Sequence, residues 1–431
     1  MLSAAGVRLD EHRLACAALT YLAEPDDQVL GALLQAIEPA EMLAAIKAGI
    51  LPVRLARAGT GPVGATLSRA MQRWRVRLPE LPDDDSLARI CQDGVRLACP
   101  ADPEWPSRLD ALGTARPYAL WLRGNADLEF SCLRSVSMVG SRAATGYGAH
   151  VAGEIAADLS ERGWVMVSGG AYGIDAAVHR GTLITGGTTI AVLACGVDHP
   201  YPAGHADLFA AIAGDGLVIS EWPPGSRPTR LRFLVRNRVI AALSCGTVIV
   251  EAGERSGALN TARHAAELGR PLMAVPGPVT SAQSAGCHKI IRDWNGSCVT
   301  CAADIVAMLA PLGEGLARDT APAGDTAPAR DTAPARDTAP ARDTAPARRD
   351  SDPSALSRDD LDLDSVRVLD AFPARSGIGM STIAVKAGLA PGTVLASVGR
   401  LAGCGFIEPC AQGWRLTRKA YKLDGINMKY D

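Results

Sequence analysis

From about residue 134 to residue 309, this chain alternates short apolar segments with segments of helical spacing. The helical spacing is clearest at Val151, Ile155 and Leu159, which fall on one face of a helix. The apolar segments span residues 136–139, 164–168, 189–194, 217–220, 247–251 and 271–275. Such alternation is typical of a parallel sheet covered by helices on both faces. We therefore expect an α/β core with a Rossmann-like, doubly wound parallel sheet.

The segments that flank this core, which we bound at residues 134–310, predict smaller units. Residues 1–80 carry apolar side chains at helical spacing and predict a helical N-terminal domain. Residues 81–133 are richer in Pro and Trp and predict a connector that packs on the core. Residues 361–431 predict three helices and a β-hairpin, an order that resembles a winged helix.

A repetitive segment separates the core from the C-terminal unit. Residues 311–360 contain five copies of a hexapeptide, Arg-Asp-Thr-Ala-Pro-Ala, one of them with glycine in place of arginine. The repeat has no large apolar side chain to bury, so it predicts a disordered linker. Its regularly spaced prolines favour an extended spacer between the two units.

Composition excludes several classes of protein. The formal net charge is −2, so any contact with nucleic acid requires a local basic patch. The apolar runs are shorter than the roughly 18 residues that a membrane span needs, and the N-terminus lacks a signal-peptide pattern. Eleven cysteines, an odd and scattered set, suit a reducing cytosol better than a disulfide framework. We expect a cytoplasmic protein with no membrane segment, and the irregular spacing of Cys287, Cys298 and Cys301 leads us to expect no metal site.

Two glycine-containing segments directly follow the first two apolar strands. They are Gly140-Ser141-Arg142 and Ser168-Gly169-Gly170. Ligands bind at the carboxyl ends of strands in open α/β sheets, where backbone N–H groups and helix N-termini face an anion. Glycine lets the backbone approach closely, and arginine grips phosphate with two hydrogen bonds. The spacing matches neither G-x-G-x-x-G nor a P-loop, so the segments predict a phosphate site of another kind.

A basic stretch follows the fourth strand. Between Glu221 and Glu251 the chain has no acidic residue. The five arginines that crowd into the first part of this stretch are Arg227, Arg230, Arg232, Arg236 and Arg238. Phe233 lies among them. Arginines that grip the backbone and an aromatic ring that stacks on a base are the components of a single-strand binding site. A solvated loop with incidental arginines is the alternative interpretation.

Three acidic or basic side chains near the strand ends invite a catalytic interpretation. Asp175 and His179 lie one turn apart and resemble a carboxylate–imidazole pair. We favour a structural role for both, since no nucleophile is placed beside them and Asp175 suits a helix N-terminus. Glu251 can be interpreted as an acid or base, or as the ion-pair partner of Arg236 or Arg238.

The order of several phrases, rather than any one of them, resembles a known family. Val-Gly-Ser-Arg is followed by Ser-Gly-Gly-Ala-Tyr-Gly-Ile-Asp-Ala-Ala-Val-His-Arg-Gly and Ala-Val-Leu-Ala-Cys-Gly-Val-Asp-His-Pro-Tyr-Pro. Ser-Glu-Trp-Pro-Pro-Gly, Arg-Asn-Arg-Val-Ile-Ala-Ala-Leu-Ser, Ser-Gly-Ala-Leu-Asn-Thr-Ala and Ala-Val-Pro-Gly come next. Over about residues 101–309 the chain is similar to the DNA-processing protein A (DprA/Smf) family. The predicted winged helix also resembles an optional last domain of that family.

The resemblance implies a non-enzymatic protein that binds single-stranded DNA, forms a homodimer and loads the RecA recombinase in natural transformation, without a cofactor. It also implies roles for particular residues. The implied DNA-binding residues are Gly140, Ser141, Arg142, Ser168, Gly169, Gly170, Arg230, Phe233, Arg236, Asn237, Arg238 and Lys289. Gly140 to Arg142 would hold a backbone phosphate, and an arginine-rich loop from Arg230 to Arg238 would cover the strand. Tyr172 stands where many members have arginine, which removes one positive charge.

Two other functions stay open at this point. The first is a Rossmann-like nucleotide-processing enzyme, although residues 246–251 lack the glycine pair of such phosphate loops. The second is a regulator that binds duplex DNA through the winged helix. Its recognition helix would present only Thr393, Ser397 and Arg400 as polar residues, which is sparse for base readout.

Overall fold

The computed structural model describes most of the chain but not its repetitive segment. The described residues are 10–50, 62–92, 94–310, 361–373, 376–410, 412–417 and 420, with backbone alone at 62, 63 and 92. The predicted linker at 311–360 therefore lies outside the described residues.

A nine-stranded sheet forms the centre of the molecule, in the order β1-β2-β6-β5-β4-β3-β7-β8-β9. Its strands are β1 (Val95–Ala98), β2 (Leu120–Gly124), β3 (Ser135–Val139), β4 (Val165–Ser168), β5 (Thr189–Val192), β6 (Leu217–Ser220), β7 (Gly246–Ile249), β8 (Leu272–Ala274) and β9 (Ser297–Cys298). The pairs from β6 to β9 are parallel, whereas β1–β2 and β2–β6 are antiparallel. The Rossmann-like α/β class that the sequence predicts is confirmed.

The order of the strands reverses at β3. The chain runs from β3 to β6 on one side of it and then returns to β7 on the other side. In a doubly wound sheet, the crevice at such a reversal is where ligands bind. The loop that follows β3, which contains Gly140-Ser141-Arg142, therefore lies at the position that the topology favours for a ligand.

The helices cover both faces of the sheet. Up to β5 they are α1 (Glu11–Leu22), α2 (Gln28–Leu34), α3 (Pro39–Ala48), α4 (Pro62–Val76), α5 (Asp84–Gln92), α6 (Leu128–Leu133), α7 (Gly146–Glu161) and α8 (Ile174–Ile184). The later ones are α9 (Ala206–Asp215), α10 (Arg230–Leu243), α11 (Ala258–Glu267), α12 (Ala285–Asp293) and α13 (Ala302–Leu309). Short 3₁₀ segments span Leu78–Glu80, Ser107–Ala115 and Ala203–His205. One buried cluster joins the sheet to α10, α11 and α12, and a second joins the opposite face to α7, α8 and α13.

The segment interpreted as a connector contributes to the sheet itself. Strands β1 and β2 come from residues 81–133 and extend the parallel part on one side. Trp121 of β2 is fully buried, and its indole N–H donates to the Thr20 hydroxyl on α1 at 3.2 Å. The sequence missed these strands because proline and tryptophan interrupt the alternation that marks the others. The N-terminal helices consequently share a core with the edge of the sheet.

The C-terminal module, residues 361–420 as described, has its own apolar core. It contains α14 (Leu363–Asp370), α15 (Met380–Ala387), α16 (Pro391–Gly403) and the antiparallel hairpin β10 (Ile407–Cys410) and β11 (Gly413–Leu416). Ile378 forms a further bridge to Trp414 of the hairpin. Three helices and a hairpin are the predicted order, and the function of a winged helix stays a prediction. Within the described ranges no single helix can span a membrane; only α15 and α16 together, bent by 105°, have the length and composition.

Candidate nucleic-acid interface

A cavity of about 980 Å³ opens at the carboxyl ends of β3, β4 and β7. We call it the arginine cavity, because Arg142, Arg230, Arg236 and Arg255 all line it. The helices α8, α10 and α11 begin at its wall, so their N-termini add partial positive charge. The cavity is therefore suited to an anionic ligand.

The Gly140-Ser141-Arg142 loop is held by backbone contacts, which leave no room for a side chain at Gly140. A Cβ on Gly140 would lie 2.6 Å from Ile174 and 2.8 Å from the Glu251 carbonyl oxygen. The Ser141 N–H donates to that same carbonyl at 2.7 Å, and the Ser141 carbonyl accepts from the Ile174 N–H at 3.2 Å. The loop is thus fixed between β7 and the first turn of α8.

Arg142 and Phe233 form the exposed wall of the arginine cavity. The Arg142 guanidinium carbon lies 4.5 Å from the centre of the Phe233 ring, and that of Arg236 lies 5.9 Å from it. Tyr201 adds a second ring, with its centroid 5.7 Å from that of Phe233. The exposed Arg142 and two aromatic rings therefore lie together at the surface, with Arg236 beneath them, and such a combination of cations and rings binds both phosphates and unpaired bases.

Arg236 supplies a buried positive charge beneath this wall. Only 4% of its surface is exposed, and its Nη1 donates to the carbonyls of Gly169 (2.8 Å) and Val192. Burial lowers the pKa of Arg236 to about 10, against the effect of the nearby Asp175 carboxylate. The group therefore stays charged at neutral pH. Gly169 has no space for a side chain, since a Cβ there would lie 2.4 Å from the guanidinium.

Two arginines of the basic stretch, Arg232 and Arg238, do not line the arginine cavity. Arg238 forms two 2.6 Å contacts with the carboxylate of Glu221, and each side chain of this pair is only 3% exposed. Arg232 donates to Glu24 at 2.8 Å and stacks on Trp222. The family resemblance implied that the stretch from Arg230 to Arg238 is a loop. It is instead the first part of α10. Both arginines therefore join structural elements; Arg238 is not among the described residues that line the arginine cavity, and its contact with DNA stays a prediction.

Comparison with known proteins identifies the family. The family model described as DNA recombination-mediator protein A matches residues 96–310. A Mycobacterium tuberculosis (strain H37Rv) protein that carries the name DprA is 39% identical over 422 residues, which cover 95% of this chain and 96% of the relative. The chain belongs to the DprA/Smf family.

Other members support the same assignment. The DNA processing protein DprA of Streptococcus pneumoniae (strain R6) is 41% identical over 192 residues, or 44% of this chain and 66% of that protein. The X-ray structure of the S. pneumoniae DprA superposes with a TM-score of 0.55 and 29% identity. The superposition covers 70% of this chain and 99% of the S. pneumoniae chain.

Other residues implied by the DprA/Smf resemblance have supporting positions. The Ser168 hydroxyl is fully buried and donates to the Met138 carbonyl at 2.7 Å, so it connects β3 to β4. Gly170 adopts φ = +68°. The Asn237 amide lines the cavity and donates to Asn260 Oδ1 at 3.2 Å. Lys289 is exposed on α12 and is not among the described residues that line the arginine cavity.

The candidate catalytic side chains have structural partners. His179 Nδ1 lies 2.8 Å from the Thr189 hydroxyl, and burial lowers the pKa of this fully buried ring to about 3. Asp175 accepts from the Ala171 N–H at 3.3 Å, and burial raises its pKa although Arg236 opposes this. Glu251 accepts from the Thr145 N–H and hydroxyl at 2.9 and 2.5 Å, so it fixes the backbone just before α7. It pairs with neither Arg236 nor Arg238.

Two residues of the cavity wall were missed by sequence reasoning. Tyr201 and Arg255 are exposed and lie in loops after β5 and β7. Each follows a strand of the parallel sheet, which is the one signal that points to them. All eleven cysteines are free thiols, and Cys298 and Cys301 are exposed. Among the described residues, no group of three or more His, Cys, Asp or Glu is arranged to hold a metal ion.

Proposed function

We propose that this member of the DprA/Smf family binds single-stranded DNA in the arginine cavity and acts without catalysis as a recombination mediator. The interleaving of Arg142 and Arg236 with the Phe233 ring is the observation that carries the proposal. Guanidinium groups bind phosphates of any sequence, and a ring stacks on any unpaired base. A duplex hides the base faces, so the same wall favours single strands.

Charge supports the proposal at the scale of the molecule. The chain as a whole has a net charge of −2, so it does not attract DNA through a general field. Arg142, Arg230 and Arg255 are exposed at one cavity instead. Binding confined to one such cavity should respond strongly to salt.

Family membership supports a proposal for the downstream partner. We propose that the bound strand is delivered to the RecA recombinase during natural transformation and that the protein works as a homodimer in the cytoplasm. The family model is that of a DNA recombination mediator. A mediator must hold a strand without altering it. In keeping with this, Asp175 and His179 are buried, and each has a structural hydrogen-bond partner, the Ala171 N–H and the Thr189 hydroxyl respectively.

Fluorescence anisotropy with labelled oligo-dT and a matched duplex, each over a series of salt concentrations, tests the binding site. We expect preference for oligo-dT, and we expect Arg142→Ala to weaken oligo-dT and mixed-sequence strands alike by about tenfold, the effect of losing about 1.5 kcal/mol of charge-assisted hydrogen bonding. The log–log salt slope should become shallower by about 0.7, the loss of one neutralised phosphate.

Arg162→Ala is the matched control, because Arg162 is exposed at the opposite end of α7 from the arginine cavity. Wild-type affinity in Arg142→Ala would refute the site. Delivery is tested separately by the ATPase rate of RecA on strands coated with single-strand binding protein. The wild type should accelerate this rate, and Arg142→Ala should not; absence of any acceleration by the wild type would refute the mediator function.

A further inference from the structure

The arginine cavity has a second wall that belongs to the C-terminal module. Leu369 and Asp370 at the end of α14, together with Phe372, Leu416 and Ala420, line the same cavity as Arg142 and Arg230. Helix α14 also packs against α10, which carries Arg230 and Phe233. The module therefore covers part of the surface that single-stranded DNA would use.

Asp370 brings negative charge to a cavity whose other walls are mainly basic. One oxygen of its carboxylate is shielded from solvent, and four arginines line the same space. A carboxylate is a planar oxyanion and a phosphate is a tetrahedral one. Guanidinium groups bind each of them through two hydrogen bonds. Asp370 thus offers the arginines the kind of ligand that a DNA phosphate offers.

A second contact holds the module from the N-terminal side. Gly388, which adopts φ = +61°, caps the C-terminus of helix α15. The Arg77 guanidinium stands so close to it that a Cβ on Gly388 would lie 2.6 Å from Nη2. A cation at a helix C-terminus is stabilising. Arg77 also donates to Glu24 at 2.8 Å, and Glu24 accepts from Arg232 of α10.

The contact is extended by a small cavity of about 220 Å³ between α4 and the module. Its described walls are Thr66, Arg69 and Arg73 on one side and Asp364, Leu389, Ala390 and Thr393 on the other. We call this contact between α4 and the module the N-terminal seat. It is separate from the arginine cavity, since no residue lines both cavities. Docking can therefore be disturbed here without touching a DNA-binding side chain.

We propose that the C-terminal module docks on the arginine cavity in the DNA-free protein and that single-stranded DNA must displace it. The proposal rests on the function proposed above. In the sequence, fifty residues (311–360) separate the module from the core, so a displaced module would stay attached to the protein. Docking lowers the apparent DNA affinity in proportion to the fraction of molecules with an open cavity.

Affinity for oligo-dT in full-length variants tests the competition. Thr393→Trp places a bulky ring in the small cavity at the N-terminal seat, so the module should dock less and oligo-dT should bind about threefold more tightly or better. Leu395→Trp is the control, because Leu395 lies on the same helix, is 65% exposed and lines neither cavity. It should bind oligo-dT as the wild type does. Equal affinities in the two variants would overturn the proposal.

Hydrogen–deuterium exchange gives a second measurement on the unaltered protein. If DNA displaces the module, saturating oligo-dT should speed amide exchange at the C-terminal end of α14, whose Leu369 and Asp370 face the cavity. Slower exchange there would mean that the module closes over the DNA, and the competition would be refuted. If neither the wild type nor Thr393→Trp binds oligo-dT, the proposed function itself fails, which is a different result from equal binding.

Discussion

At Gly173 the backbone adopts φ = +80°, and the carbonyl oxygens of Ser141 and Arg142 lie 2.3 and 2.6 Å from where a side chain would begin. Glycine is the residue that tolerates both conditions, the left-handed conformation and the close approach of another backbone. The loop after β3, which contains Gly140-Ser141-Arg142, therefore depends on a residue in the loop after β4. In the sequence Gly173 belongs to the segment that begins at Ser168, but in the structure it supports the loop after β3.

We predict that Gly173→Ala costs about 1–3 kcal/mol of stability from the backbone conformation alone, because φ = +80° with ψ = −126° is a conformation that side chains rarely adopt. It should also weaken oligo-dT binding several-fold, because Ser141 and Arg142 must shift to make room for the methyl group. Urea unfolding and anisotropy measure the two effects. Gly146→Ala is the control, since a Cβ there meets nothing within 4 Å. Unchanged DNA affinity in Gly173→Ala would show that the loop does not rely on this contact.

His179 predicts a dependence of stability on pH. Burial lowers its pKa to about 3 from an ordinary 6.5, so below pH 6.5 the unfolded chain takes up a proton that the folded protein excludes. The stability of the wild type should fall, relative to His179→Gln, by about 1.4 kcal/mol per pH unit between pH 6.5 and 3. Urea unfolding at pH 7, 6 and 5 measures this difference. Parallel pH profiles for the two proteins would contradict the burial of a neutral ring.

Helix α10 joins the functional and structural parts of the site. Its N-terminal end carries Arg230 and Phe233 at the cavity, while its later residues are buried against the sheet. Thr229 caps it by accepting from the Arg232 N–H at 3.3 Å. The density of arginines favoured a loop in the sequence, but the N-terminal cap and the buried apolar second half make a helix. A rigid helix holds Phe233 in place against Arg142 better than a loop would.

Glu24 connects α10 to the N-terminal helices. Although burial alone would raise its pKa, the guanidinium groups of Arg232 and Arg77 hold the pKa of Glu24 well below its usual range. Its other carboxylate oxygen accepts from the Trp222 indole at 2.9 Å. One carboxylate thus joins three elements that are far apart in the sequence.

We predict that Glu24→Gln lowers the free energy of unfolding by about 1–2 kcal/mol at pH 7, a value reduced for the partial exposure of this carboxylate. The contribution of an acid with a depressed pKa is present above its unfolded pKa, here 4.5, and is lost as the pH falls below that value. The wild type and the variant should therefore converge on acidification. Glu38→Gln, whose carboxylate is 82% exposed, should match the wild type throughout. A constant gap at all pH values would contradict the assignment.

For the molecule as a whole, the sequence predicted the parallel sheet well and the antiparallel extension not at all. Buried parallel strands are short apolar runs, and six of these were readable to within one or two residues. The strands β1 and β2 lie in a segment where proline and tryptophan disguise the pattern. Their place in the sheet depends on pairing with β6, a contact between residues about a hundred positions apart.

The site shows the same division between local and distant information. Gly140, Arg142 and Phe233 belong to local patterns, and the structure brings them to one cavity. Arg238 pairs with Glu221, which lies 17 positions earlier at the end of the preceding strand, so its neighbours in the sequence do not reveal this contact. Tyr201 and Arg255 belong to no motif. Proximity in space decided all three, and single-sequence reasoning has little access to it.

The outermost strands of the nine-stranded sheet are short. Strand β9 has two residues, and β1, at the other margin, has four and is covered by α5. A long, bare sheet margin is a template on which strands of other chains can add, and this is a common start of fibrillar aggregation. In this protein that template is only two residues long at the β9 margin, and α5 packs against the strand at the β1 margin. Among the described strands, neither margin therefore offers a long, bare edge through which copies of the protein could polymerise.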